Sequence, residues 1–308
     1  MEVASTIEVI APSSKGAFKE KAREAFEARG LKVNIPDDLM TEGSPYEANT
    51  VAYKVAHLIQ ASNDERILAM IALRGGYGST KVAEEIVRLP EFLQKKFIVG
   101  YSDLTALFTA LNVKHGWLCV HGPVICQAAE KINPKCIDQV IDIVTGKISS
   151  LSIPGLIPLN DVAPRGELSG KLIGGNICVF QSTIGTAWQP SCNNKILFLE
   201  DWNEPGYKVD RMLTHLRQSG ILEGVEAVVL GQFLPPKYEL EVEPAEAVDI
   251  INFALSNFAK SMKCPVYKTE AFGHGYENTP LVIGADAQIL VGSDGATLSY
   301  SWEYTLTA

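Results

Sequence analysis

The stretch Lys95-Lys96-Phe97-Ile98-Val99-Gly100-Tyr101-Ser102-Asp103-Leu104-Thr105-Ala106-Leu107 reads as a short buried strand turning directly into a helix. Apolar Phe97-Ile98-Val99 is too short for a helix and is followed by glycine, whereas Leu104, Ala106 and Leu107 begin an amphipathic helical period. Working outward, the same alternation recurs. Ile7–Ala11 is strand-like and ends at Pro12, and Ala17 to Arg29 is helical and stops at Gly30. Leu31–Ile35 is a strand, Glu47 to Ala61 a helix, and Arg66–Leu73 a buried strand. A glycine-rich turn and the helix Ser79 to Arg88 follow it. Repeated β-α-β units with short apolar strands predict a parallel, flavodoxin- or Rossmann-like sheet with helices on both faces.

The texture changes between residues 146 and 168, where Ser149-Ser150, Pro154-Gly155, Pro158 and Pro164-Arg165-Gly166 break every period. This segment is expected to be a linker between an α/β domain at 1–145 and a second α/β domain, richer in β-structure, at 169–308. In the second domain Lys195–Glu200 and Val225–Leu230 read as strands. Tyr207–Gln218 and Pro244–Lys260 read as helices, and the chain from Thr269 to Thr307 carries mainly β signals.

The 308 residues carry a formal charge of −9, with 46% hydrophobic and 20% charged residues. That balance argues against phosphate-backbone binding as a main activity, so no nucleic-acid partner is expected. No apolar run approaches the roughly 20 residues of a bilayer span, and the first residues lack a signal-peptide layout. Six scattered cysteines without a Cys-x-x-Cys pair point to free thiols rather than structural zinc. The expectation is a cytoplasmic protein with neither membrane partner, metal nor cofactor.

Four constellations bear chemistry. Ser102 sits where a strand meets a helix N-terminus, whose unpaired N–H groups favour negative charge. A nucleophile placed there has an anion-stabilising site beside it, although serine in this position also serves as an ordinary helix N-cap. Leu73-Arg74-Gly75-Gly76-Tyr77-Gly78-Ser79-Thr80 lets the backbone approach a ligand closely but matches neither Walker A nor the dinucleotide fingerprint. The N–H of Gly76 together with that of Asp103 would make a two-donor oxyanion hole. Glu200-Asp201 ends a strand, and alternation places the two carboxylates on opposite faces without saying which one faces a site. His274, between Gly273 and Gly275, is a sterically open loop histidine, with His121 as its rival for a base. A serine, a carboxylate and a histidine are the minimal set for acyl transfer at neutral pH.

Arg74-Gly75-Gly76-Tyr77-Gly78, Gly100-Tyr101-Ser102-Asp103, Gly174-Gly175-Asn176, Leu199-Glu200-Asp201 with Tyr207-Lys208-Val209-Asp210-Arg211, and Gly273-His274-Gly275 occur in this order. Together with Ala11-Pro12-Ser13-Ser14 and His121-Gly122-Pro123 they resemble the LD-carboxypeptidases, serine peptidases that include the microcin C immunity peptidases. The resemblance implies a triad of Ser102, Glu200 and His274, so selecting Glu200 over Asp201, and an oxyanion hole from the N–H groups of Gly76 and Asp103. It implies a homodimer that cleaves the bond between diaminopimelate (or L-Lys) and a terminal D-Ala in a cytoplasmic murein tetrapeptide. Residues expected to touch that peptide are Gly75, Tyr77, Ser79, Thr80, Arg165, Lys171, Trp202 and Arg211. The alternative within the family is an immunity-type hydrolase of peptidyl-nucleotide amides, with Trp202 stacking on a base. The alternative outside it is a non-catalytic module that binds an anionic ligand.

Overall fold

A computed structural model describes residues 5–18, 20–41, 44–90, 94–127, 132–162, 167–236, 243–292 and 295–304. The chain divides into two compact units, one of residues 1–149, 279–284 and 303–308, the other of 150–278 and 285–302. The first begins β1 (Thr6–Ile10), α1 (Glu20–Glu27), β2 (Lys32–Asn34), α2 (Val51–Asn63) and β3 (Ile67–Ala72). It continues α3 (Ser79–Ile86), β4 (Ile98–Gly100), α4 (Leu104–His115), β5 (Cys119–His121) and α5 (Pro134–Val144). The second holds β6 (Ser150–Pro158), β7 (Leu168–Asn176), α6 (Ile177–Gln181), β8 (Lys195–Trp202), α7 (Gly206–Gln218), β9 (Ala227–Leu234), α8 (Pro244–Ser261) and β10 (Val266–Lys268). The chain then re-enters the first unit as β11 (Leu281–Ile283) and returns for β12 (Asp286–Gly292) and β13 (Gly295–Ser301).

The first unit's sheet has the order β11-β5-β4-β3-β1-β2, parallel throughout except for β11, which pairs antiparallel to β5. Every residue of β3 is buried, as a central parallel strand covered on both faces requires. Helix α4 departs from the amphipathic expectation, because all eight residues from Leu104 to Leu111 are buried. Thr109 fits that setting, its Oγ1 donating to the Thr105 carbonyl at 2.7 Å rather than seeking water.

Helix α2 starts four residues later than the predicted Glu47. Thr50 is its N-cap, accepting from the Tyr53 N–H at 3.2 Å, while Glu47 forms a β-bridge with Ser14 and the Ala48 N–H donates to the Ser13 carbonyl. A good cap and a competing pairing thus outweigh the helical period upstream.

The second unit is a closed barrel in the order β10-β6-β13-β12-β7-β8-β9, mixing parallel and antiparallel pairs. Helices α7 and α8 bury Leu213, Leu216, Ile251 and Leu255 with Ile173, Leu197, Leu199, Val228 and Leu230 of the strands in one apolar cluster. Within the segment expected to be linker, residues 150–158 are instead strand β6. Its Pro154-Gly155 break falls where the pairing with β13 shifts register, Gly155 taking φ 71°. A bulge absorbs residues that would otherwise end a strand. Among the described residues no helix is long and apolar enough to cross a membrane.

Candidate active site

In the first unit the chemistry gathers at the carboxyl ends of the parallel strands, the usual ligand side of such sheets. Ser102 lies between β4 and α4 and takes φ 64°, a left-handed conformation uncommon for a residue with a side chain. It is not the N-cap of α4; Asp103 occupies that position, in a right-handed conformation and without a side-chain cap bond. The kink instead turns the Ser102 side chain toward the glycine turn after β3. A methyl group on Gly75 would come within 2.9 Å of Ser102 Cβ and 3.1 Å of Oγ, so only glycine permits this approach. Gly76 follows at φ 121° with its open face against Ser14.

Asp103 is 4% exposed, and its Oδ2 accepts from the Ser13 hydroxyl at 2.5 Å and from the Ser79 N–H at 2.9 Å. The Ser79 hydroxyl donates to the Asp103 carbonyl. The N-terminus of α3 is therefore filled by the protein's own carboxylate. Ser79, one of the residues expected to touch the peptide, is wholly buried with its N–H and hydroxyl both donating to Asp103. Thr80 is partly buried on the same first turn. Beside the turn, Tyr77 is half exposed, set edge-on to Tyr46 at 6.1 Å, with the Lys81 ammonium 5.4 Å from its ring. Below it buried Glu47 takes hydrogen bonds from Lys54, at 2.8 Å, and from Lys81. Burial pushes the Glu47 carboxyl up, but the hydrogen bonds from Lys54 and Lys81, and then their charges, together outweigh it and hold the group below its usual range.

In the second unit Glu200 on β8 is fully buried, and its Oε2 lies 2.5 Å from His274 Nδ1. Engagement at Nδ1 fixes the ring and makes Nε2 the atom directed at any second group. Trp202, two residues beyond Glu200, stacks on the His274 imidazole with centroids 5.8 Å apart and planes 12° from parallel. The other carboxylate has a different task. Asp201 Oδ1 accepts from Asn176 Nδ2 and from the Trp202 N–H, both at 2.8 Å, tying the end of β7 to β8. Burial, and then the charge of Glu200, push the Asp201 carboxyl up to about 7.

The loop that carries His274 is held by a residue that sequence reasoning missed. Gln232 on β9 accepts from the Gly275 N–H at 2.6 Å and donates to the carbonyls of Glu270, at 2.8 Å, and Glu277, at 3.1 Å. Its signal was present as one amide in the apolar run Ala227–Leu234, on the face of Val228 and Leu230. Of the remaining expected contacts, Lys171 pairs with Asp286 at 2.8 Å on the exposed barrel surface. Arg211 lies over the Tyr207 ring at 5.5 Å, and Arg165 falls outside the described residues. His121, the rival base, is wholly buried with its ring edge-on to Tyr101 at 5.9 Å.

A second polar cluster surrounds a cavity of about 420 Å³ at the opposite, amino end of the first unit's strands. Its central carboxylate, Glu8, is already hydrogen-bonded to Asn34, at 2.7 Å, and to His57, at 2.8 Å.

Comparison with known proteins matches residues 7–122 to the LD-carboxypeptidase N-terminal domain and residues 169–289 to the LD-carboxypeptidase C-terminal domain. A putative carboxypeptidase of Rickettsia conorii is 35% identical, covering 92% of this chain and 88% of its own. A probable murein peptide carboxypeptidase of Bacillus subtilis is 28% identical, covering 92% of this chain and 88% of its own. Among solved structures, a muramoyltetrapeptide carboxypeptidase from Oxalobacter formigenes superposes with a TM-score of 0.80 at 26% identity, covering 97% of this chain and all of that one.

Proposed function

Since this chain belongs to the LD-carboxypeptidase family and is a carboxypeptidase, we propose that it works by a serine mechanism with Ser102 as nucleophile, His274 as base and Glu200 as the carboxylate that orients it. The observation that carries the reading is the Glu200–His274 contact at 2.5 Å, made by a carboxylate with no exposure to water. It holds Nδ1 and stabilises the imidazolium that forms when Nε2 takes the serine proton. The serine oxygen attacks the peptide carbonyl, and the oxyanion is held by the N–H groups of Gly76 and Asp103. His274 then returns the proton to the leaving amine. Water, activated by the same imidazole, hydrolyses the acyl-enzyme and frees Ser102. One oxyanion donor is worth roughly 2.7–4 kcal/mol in the transition state.

The substrate in this reading is a murein tetrapeptide, cut between diaminopimelate (or L-Lys) and the terminal D-Ala during cell-wall recycling. Support comes from the relatives whose names carry murein or muramoyl peptides. The test is turnover of murein tetrapeptide by the wild type, Ser102→Ala and His274→Ala, together with labelling by a serine-directed phosphonate. Release of D-Ala by the wild type, its loss on the order of 10⁴-fold or more in both variants, and a label confined to Ser102 are expected. Full activity of Ser102→Ala would overturn the serine mechanism, and no release of D-Ala by the wild type would favour the non-catalytic binding module. Turnover of an aminoacyl-sulfamoyl adenosine alone would assign the chain to the immunity-type alternative.

A further inference from the structure

We propose that the dipeptide Ser13-Ser14 is the common support of both backbone donors that flank Ser102, and so a positioning element for the reaction. The inference rests on the serine-peptidase reading and adds to it a role for two side chains and for the Asp103 carboxylate.

The two neighbouring serines reach opposite sides of Ser102. The Ser13 hydroxyl donates to Asp103 Oδ2 at 2.5 Å, and the Asp103 backbone is fixed in turn by the Ser79 hydroxyl on its carbonyl. This pins the residue immediately after the nucleophile through both its side chain and its main chain. Ser14 Oγ accepts from the Tyr77 N–H at 3.0 Å and packs against Gly76 so closely that a methyl group there has no room. That fixes the turn whose Gly75 presses on Ser102. The dipeptide does not float: the Ala48 N–H donates to the Ser13 carbonyl at 2.9 Å, and Ser14 bridges to Glu47.

Two donors converge on one oxygen only if their separation is held to a fraction of an ångström, and backbone groups from two different turns have no covalent reason to keep it. A single dipeptide bonded to both turns supplies that constraint. It also offsets the strain of Ser102 at φ 64°, which persists only where surroundings over-determine it. Asp103 suits the task because its buried carboxylate, 4% exposed, accepts from a side chain and from the first N–H of α3, where a negative charge is favoured. Neither serine need touch substrate, so their effect belongs to the transition state, where the oxyanion exists, and not to ground-state binding.

The full-length protein is assayed on murein tetrapeptide as Ser13→Ala, Ser14→Ala, Ser14→Thr and Asp103→Asn, with Ser102→Ala alongside. The amide resonances of Gly76 and Asp103 are followed by NMR. Each alanine variant is expected to lose kcat on the order of ten-fold, with KM within about two-fold of the wild type. Ser13→Ala should move chiefly the Asp103 amide and Ser14→Ala chiefly that of Gly76. Ser14→Thr, which keeps the hydroxyl, should recover most of the loss. Asp103→Asn reads the same link without emptying space, and is expected to lower kcat as Ser13→Ala does. Wild-type kcat in the alanine variants, or a change confined to KM, overturns the proposal while inactivity of Ser102→Ala leaves the peptidase reading standing. Activity in Ser102→Ala would instead remove the reading on which the proposal depends.

Discussion

Ser102 and Asp201 show how far a residue's environment can move it from its ordinary behaviour. Ser102 takes a left-handed conformation, with the Gly75 backbone close on one side and the pinned Asp103 next to it on the other. Asp201 is driven the other way chemically, up to about 7, because burial penalises its charge and Glu200 adds a second one beside it. Its free carboxyl value is 3.8, so between that pH and about 7 the unfolded chain has released a proton that the folded one retains. Stability contributed by this group therefore falls as pH rises through that window and is flat above it. Asp201→Asn, which cannot titrate, is expected to flatten the decline in melting temperature between about pH 4.5 and 7.5. An unchanged slope in thermal melts across that range would remove Asp201 as its source.

At the scale of elements, residues distant in sequence decide where each piece begins and what it holds. Helix α2 begins at Val51 because Thr50 caps it and residues 47–48 are claimed by 13–14. Strand β6 runs through Pro154-Gly155 because β13 shifts register to accommodate them. The loop carrying His274 has little regular structure of its own and is held by the three hydrogen bonds of Gln232. Each such bond is worth about 1 kcal/mol net, and more where truncation strands a buried partner. Gln232→Ala is accordingly expected to speed hydrogen exchange over residues 270–277 and to lower kcat. Exchange over α7 and α8, whose shared apolar cluster does not depend on Gln232, should stay as in the wild type. Unaltered exchange in the loop would show that Gln232 does not anchor it.

For the whole molecule, the decisive feature is that the first unit is not a continuous stretch of chain. Strand β11, from residues 281–283, completes its sheet beyond β5, and Tyr304 packs on Phe97 with ring centroids 4.2 Å apart. A fragment of residues 1–149 therefore leaves β5 as an open edge with unpaired N–H and C=O groups. It is expected to melt well below the intact chain and to self-associate in size-exclusion chromatography. A monomeric fragment as stable as the full chain would show that β11 is dispensable.

The sequence by itself determined the α/β class, the strand–turn–helix junctions at Gly75–Gly78 and at Ser102, and the histidine loop. These signals are local, since glycine spacing, apolar runs and the 3.6-residue period lie within a dozen residues of one another. Strand alternation did not separate Glu200 from Asp201; the choice of Glu200 came from what the family resemblance of the ordered motifs implies. Only the tertiary structure decided which groups within each unit hold those positions. It closed the second sheet into a barrel, made residues 150–158 of the expected linker strand β6, and buried α4 from Leu104 to Leu111. It also filled the N-terminus of α3 with Asp103, and joined Ser13-Ser14 to turns more than 60 residues away. Hydrogen-bond partners and strand register across such separations are set by packing in three dimensions, and no local period in a chain encodes them.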